Sequence, residues 1–144
     1  MLIVAAILPL IFLVYQIVID WIDLFPWNDV SRKSAKTKLL ELIINYFPLL
    51  LISYAYFHPA AQTILWGMIG ALLYLAGHIR AWWIPYLFGA SEKERAEYLH
   101  YFAHTYKFLP RRQDHPVPDA EHVVLGCICL LMAIINVFVF FAYI

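Results

Sequence analysis

The chain has 144 residues, of which 64% are apolar, 17% aromatic and only 14% charged. Soluble domains carry roughly 25% charged residues, so this chain lacks the polar surface to cover a core in water, and its hydrophobicity excludes a disordered chain. Formal net charge is zero and the isoelectric point is near 7.0, which excludes the basic balance of a nucleic-acid binder.

A membrane-spanning helix takes roughly 20 apolar residues, and the apolar runs supply four such helices. The first span is expected at about 1–19. It has no basic start, and Asp20-Trp21-Ile22-Asp23 stands where a cleavage site needs small residues, so it reads as a retained helix. The loop 20–38 holds the turn Phe25-Pro26-Trp27-Asn28-Asp29 and the basic run Arg32, Lys33, Lys36 and Lys38. The second span is expected at about 39–57, kinked by Pro48. His58-Pro59-Ala60-Ala61 is a tight turn before a third span at about 62–84. That span leaves the membrane through Arg80, Trp82, Trp83 and Tyr86, an interface-type cluster that Gly89 terminates.

The loop 90–119 opens on a capping box, Ser91 with Glu94, which predicts a short helix over 92–106. At about 100° per residue, Glu97, His100 and His104 share one side of it, and Leu99, Phe102 and Tyr106 the other. The pattern predicts an amphipathic helix lying on the membrane surface. Pro110, Pro116 and Pro118 stiffen the segment that follows. It is expected to fold back over the bundle, bringing Asp114, His115 and Asp119 above His78 and Arg80. Asp119 is a good N-cap for the fourth span, expected at about 120–144. The expectation is one all-α membrane domain over 1–144: a bundle of four transmembrane helices plus an amphipathic interfacial helix.

Of the ten Lys and Arg, four lie in the loop 20–38 and six between Arg80 and Arg112. The positive-inside rule then places both charged loops in the cytoplasm and both termini outside, with a bacterial plasma membrane as the expected location. Gly67, Gly70, Ala71, Tyr74, Gly77, His78 and Ala81 follow one another by steps of one or three, and form one stripe on the third span. Small residues let helices approach closely in lipid, so this stripe should face the bundle. Gly126, Cys129, Ala133, Asn136 and Phe140 form a weaker stripe on the fourth span. Cys127 and Cys129 point to nearly opposite sides of a helix, so no disulfide is expected between them. Glu41 reads as an interfacial acid whose partner, if buried, is Arg80 or His78.

Three groups of residues offer chemistry. Glu97, His100 and His104 have a spacing that a metal could use. His78, Arg80, Asp119 and His122 would gather near the same end of the bundle, with histidine as acid, base or haem ligand, arginine holding an anion and aspartate orienting a histidine. Arg80, Lys107, Arg111 and Arg112 would suit a phosphate-bearing headgroup. The chain has no Gly-rich phosphate loop, no Gly-x-Ser-x-Gly, no Cys-x-x-Cys and no broken-helix pair of a transporter. The leading expectation is a small membrane protein that binds a lipid or a protein partner, or a second copy of itself, through its cytoplasmic face. The alternative is a membrane-interface enzyme acting on a lipidic or lipid-linked substrate. The third is a haem- or quinone-linked electron-transfer subunit. No cofactor is identified by the sequence.

Overall fold

The structure, a computed structural model, describes residues 1–143; position 144, the last of the expected fourth span, lies outside the described residues. Every regular element among the described residues is helical. Four helical stretches are long and apolar enough to cross a membrane: Leu2–Trp21, Ala35–Phe57, Ala61–Phe88 and Ala120–Tyr143. The first is α1 and the last is α7. The second comprises α2 (Ala35–Glu41), a π-helical segment (Leu42–Tyr46) and α3 (Phe47–Phe57). The third comprises α4 (Ala61–His78), a π-helical segment (Ile79–Trp83) and α5 (Ile84–Phe88). Helix α6 (Glu92–Phe102) lies in the long loop.

The helices form an up-and-down ring. α1 packs on α3, α3 on α4, α4 on α7, and α7 back on α1. The outward faces are apolar: α1 exposes Ile3, Ile7, Ile11 and Val14, and α7 exposes Leu130, Leu131, Ile134 and Phe138. A soluble helix of this length would turn such residues inward.

Small residues let the helices approach at the uncharged end. A Cβ on Gly67 would meet the Tyr56 ring at 2.6 Å, and one on Gly70 would meet Ile52 Cγ1 at 3.0 Å. Ala5, Ala6, Ala71 and Ala133 are buried beside them. The expected stripe on the third span therefore packs, but only along part of its length. At Gly77 it faces open space: a Cβ there would meet nothing within 4 Å. The stripe on the fourth span is buried from Gly126 to Asn136, with Cys129 inside and Cys127 outside.

Both prolines act just after a π-helical segment. Pro48 and Pro85 lack the N–H that would close a normal turn onto residues 44 and 81. The preceding five residues, Leu42–Tyr46 and Ile79–Trp83, take up the wider turn. The expected kink at Pro48 is thus spread over a widened turn, and the third helix runs on through Pro85 to Phe88. Gly89, at φ +94°, ends it.

Two local expectations change. The loop helix stops at Phe102 rather than 106, because Lys107 folds back and its Nζ donates to the carbonyls of Phe102 and Thr105. Nor does it present a continuous apolar face. Leu99 is exposed, while Tyr98 and Phe102 turn toward the protein and no residue of α6 is fully buried. An amphipathic surface helix is not supported. The proline-rich segment does fold back: Pro116, Val117, Pro118 and Asp119 are all buried. Tyr98 Oη donates to the Val117 carbonyl at 3.1 Å and Tyr86 Oη to that of Pro110 at 3.0 Å.

Candidate functional site

The charged loops and the wide end of the bundle enclose a cavity of about 490 Å³. Its apolar wall includes Phe12, Leu73 and Leu125, and its polar wall Asp20, Lys33, Glu41, His78, Glu121 and His122. Both π-helical segments border it, through Ile44 and Asn45 on one side and Ala81 and Trp82 on the other. A second cavity of about 370 Å³ shares Lys33, Glu41, Trp82 and Phe102 with it and extends to Arg80, Glu94 and Glu97.

One wall is a closed network around Asp20, at the end of α1. Asp20 Oδ2 accepts from Gln16 Nε2 and from Tyr46 Oη, each at 3.1 Å. Trp21 Nε1 donates to Tyr46 Oη at 3.2 Å. Lys33 Nζ lies 3.3 Å from Asp20 Oδ1 and 3.0 Å from the Glu41 carboxylate. Burial opposes the charge on Lys33, but the carboxylates of Glu41 and Asp20 outweigh it and hold the ammonium above its ordinary value. Asn28 aims the loop: its Nδ2 donates to the carbonyls of Ile19 and Ile22 at 2.7 and 2.9 Å, closing the C-terminus of α1. The partner of Glu41 is thus Lys33.

The opposite wall is the start of α7. Asp119 is fully buried and acts as the N-cap, its Oδ1 accepting from the His122 backbone N–H at 3.0 Å. The same oxygen lies 2.6 Å from His122 Nδ1. Burial pushes the Asp119 carboxyl upward, yet the neighbouring His122 and its hydrogen bonds outweigh that and keep it below the usual carboxylate range. An ionised carboxylate only accepts, so Nδ1 carries the proton and donates. The remaining imidazole nitrogen, Nε2, lies 3.8 Å from Glu121 Oε1. The ring stacks on Trp82, with centroids 3.6 Å apart, and meets Phe102 edge-on at 5.2 Å. Trp82 and Phe102 therefore lock the rotamer that Asp119 selects.

Glu121 is 5% exposed, lines the cavity and has no hydrogen-bond partner. His78 Nε2 is also buried without a partner. It fits because residue 126 is glycine: a Cβ there would lie 2.8 Å from it.

The structure brings together His78 and His122 on one cavity, with Asp119 directly behind His122. It does not bring Arg80 to them: that side chain is exposed and pairs with Glu94 at 3.2 Å. Lys107 is used in capping α6, Arg111 is exposed, and Arg112 lies over the Tyr86 ring at 5.8 Å. These four cations have separate surroundings, and none lines the larger cavity.

The proposed metal ligands are all exposed. Glu97 pairs loosely with Lys93 at 3.9 Å, His100 packs on Tyr101, and His104 lies beyond the end of the helix. Among the described residues, no group of three His, Cys, Asp or Glu side chains is placed to hold a metal ion. The histidines do not form one cluster. His115 Nδ1 donates to the Tyr86 carbonyl at 2.9 Å, and His58 lies on Tyr54. The segment above the site differs from expectation too, because Asp114 pairs with Arg95.

Sequence reasoning missed Asp20, Lys33 and Glu121. Gln16 and Asp20, four apart at the end of an apolar run, were a readable signal. Glu121 stands in step with Leu125, Cys129, Met132 and Asn136, the inward face of α7. Compared with known protein families, curated proteins and solved structures, the chain matches none.

Proposed function

We propose that the protein is a membrane-embedded enzyme that performs acid–base chemistry on a lipidic or lipid-linked substrate. The observation that supports this most is the buried Asp119–His122 pair, with the free imidazole nitrogen beside Glu121 on a cavity. Burying ionisable groups costs stability unless each is well paired. A surface that only docks a partner gives no reason to place them in the bundle.

In this reading His122 Nε2 takes a proton from the substrate, or from a water that attacks it. Asp119 stabilises the imidazolium that forms and fixes which nitrogen reacts. Glu121 lies within reach to receive or return that proton. The substrate's apolar part lies along Phe12, Leu73 and Leu125, and its polar part between Lys33, Glu41 and His122. We place the charged loops in the cytoplasm of a bacterial plasma membrane and both termini outside, so the cavity serves the inner leaflet. All ten Lys and Arg lie within residues 32–38 and 80–112 and none near either terminus or in the His58 turn, which supports the orientation.

Comparative lipid mass spectrometry tests the function. Membranes carrying the wild type should gain or lose a lipid species relative to membranes carrying His122→Ala or Asp119→Asn, with all three proteins recovered monodisperse in equal amount. Identical lipid profiles would sink the enzyme reading. They would leave docking of a lipid or protein partner on the cytoplasmic face, which the pinned loop favours because it holds Phe108, Arg111 and Arg112 exposed.

A further inference from the structure

The charge on the cavity wall selects among amphiphiles. Three carboxylates line it, from Asp20, Glu41 and Glu121, against the single ammonium of Lys33. Lys33 is already shared between Asp20 and Glu41 at 3.3 and 3.0 Å. Asp20 also accepts from Gln16 and Tyr46. Glu121 is left over. Its nearest opposite group is His122 Nε2, 3.8 Å away, and the other nitrogen of that ring is committed to Asp119. His122 is thus engaged by Asp119, and Glu121 has no cation of its own on the wall.

A second observation points to the same ligand. The space beside Glu121 is a formed cavity with aromatic walls, Phe12, Tyr74, Trp82 and Phe102, rather than a closed acidic contact. Aromatic faces attract ammonium groups. A volume of about 490 Å³ lies within the range of sites for small organic ligands, roughly 300–1,000 Å³. The carboxylates do not converge on a point, as a chelated metal would require.

We infer that the cavity binds an organic ammonium group carried on an apolar chain, with Glu121 as its counter-ion. The inference rests on the proposed function and names its substrate class. It departs from the anionic headgroup that Arg80, Lys107, Arg111 and Arg112 suggested, because those side chains lie outside the larger cavity. The ammonium could belong to an aminophospholipid headgroup or to a free long-chain amine.

Binding to the purified full chain in a nonionic detergent tests this, with dodecyltrimethylammonium, dodecyl phosphate and lysophosphatidylethanolamine as probes. The cationic probe should bind at least about tenfold tighter than the phosphate, since one charge-assisted contact is worth a decade or more in Kd. Glu121→Gln should remove about that factor, while the same change at exposed Glu92 leaves binding unaltered. Binding of the lysolipid as tight as the cation would assign the ammonium to a lipid headgroup, and weaker binding would assign it to a free amine.

Equal or tighter binding of the phosphate in the wild type would overturn the inference without any variant. Unchanged binding in a folded Glu121→Gln protein would overturn it as well. A lipid change that depends on His122, found together with a preference for the phosphate, would keep the enzyme reading and remove only this one.

Discussion

Along α4 the same small-residue stripe meets two different environments. At Gly67 the neighbouring Tyr56 ring leaves no room for a methyl group, and at Gly77, about 15 Å further along the helix, there is no neighbour within 4 Å. Around Gly67 the bundle is apolar and tightly packed. Around Gly77 the widened turns border a cavity walled by Asp20, Lys33, Glu41, Glu121 and His122. A helix interface in lipid gains from close packing, not from removing apolar surface from water. The open end forgoes that packing, and there the ionisable side chains take its place. Stability and chemistry are thus segregated along one bundle, so the two ends should respond in opposite ways to the same kind of change.

The largest effect is expected from Lys33→Met. Lys33 holds together Asp20 and Glu41, and its side chain is only 12% exposed. Removing one member of a buried ion pair costs about 3–5 kcal/mol, because the remaining charges stay desolvated. Thermal unfolding in detergent, followed by tryptophan fluorescence, should show this loss. The ammonium is held above its ordinary value. Its contribution should therefore persist up to roughly pH 10.4 and fade only as pH rises through the folded-state value. A cost below about 1 kcal/mol would place Lys33 among exposed pairs and dissolve the distinction between the ends.

The two glycines give the direct comparison. Gly67→Val should destabilise by about 1–3 kcal/mol through overpacking against Tyr56 and Ala55. Gly77→Ala should be neutral or stabilising by up to about 1 kcal/mol, because a helical glycine carries extra backbone entropy and the added methyl group meets nothing. If both substitutions destabilise equally, the space beside Gly77 is closed in the folded protein.

Much of the packed end was legible because close packing follows composition and period. The apolar runs located all four helices, and steps of three and four identified the inward faces of α4 and α7. The open end was harder. Asp119 and His122 were readable as an N-cap and a first-turn histidine. Their meeting with Trp82 and Phe102 depends on two loops returning to one place, and period carries no information about that. Lys33 looked like one member of a basic run, and only its tertiary position separates it from Lys36. Arg80 looked central because it is close to His78 in sequence. The π-helical turn after His78 leaves it exposed beside Glu94. The metal and anion groupings depended on side chains that the fold spreads over separate parts of the loop.

Asp119→Asn adds a pH signature. The carboxyl is held below its usual range, so its contribution is full above roughly pH 4 and is lost as pH falls through the folded-state value. The variant should therefore be less stable by about 1–3 kcal/mol near neutrality, the usual size for a hydrogen bond to a charged group. The difference should narrow in acid. A difference that stays constant from pH 7 to pH 3 would mean that the Asp119 charge contributes nothing and that the N-cap geometry alone matters.

The smallest change should come from the loop surface, and a null result there supports the contrast. Arg80 and Glu94 lie 3.2 Å apart, closer than Lys33 and Asp20, but their side chains are 64% and 40% exposed. Water screens such a pair, and holding two long side chains together opposes it entropically. Arg80→Ala should therefore cost less than about 1 kcal/mol, and raising the salt concentration should reduce even that. Distance alone would rank this pair above Lys33–Asp20. Burial reverses the ranking, and comparing the two unfolding midpoints at low and high salt measures which of them governs this protein.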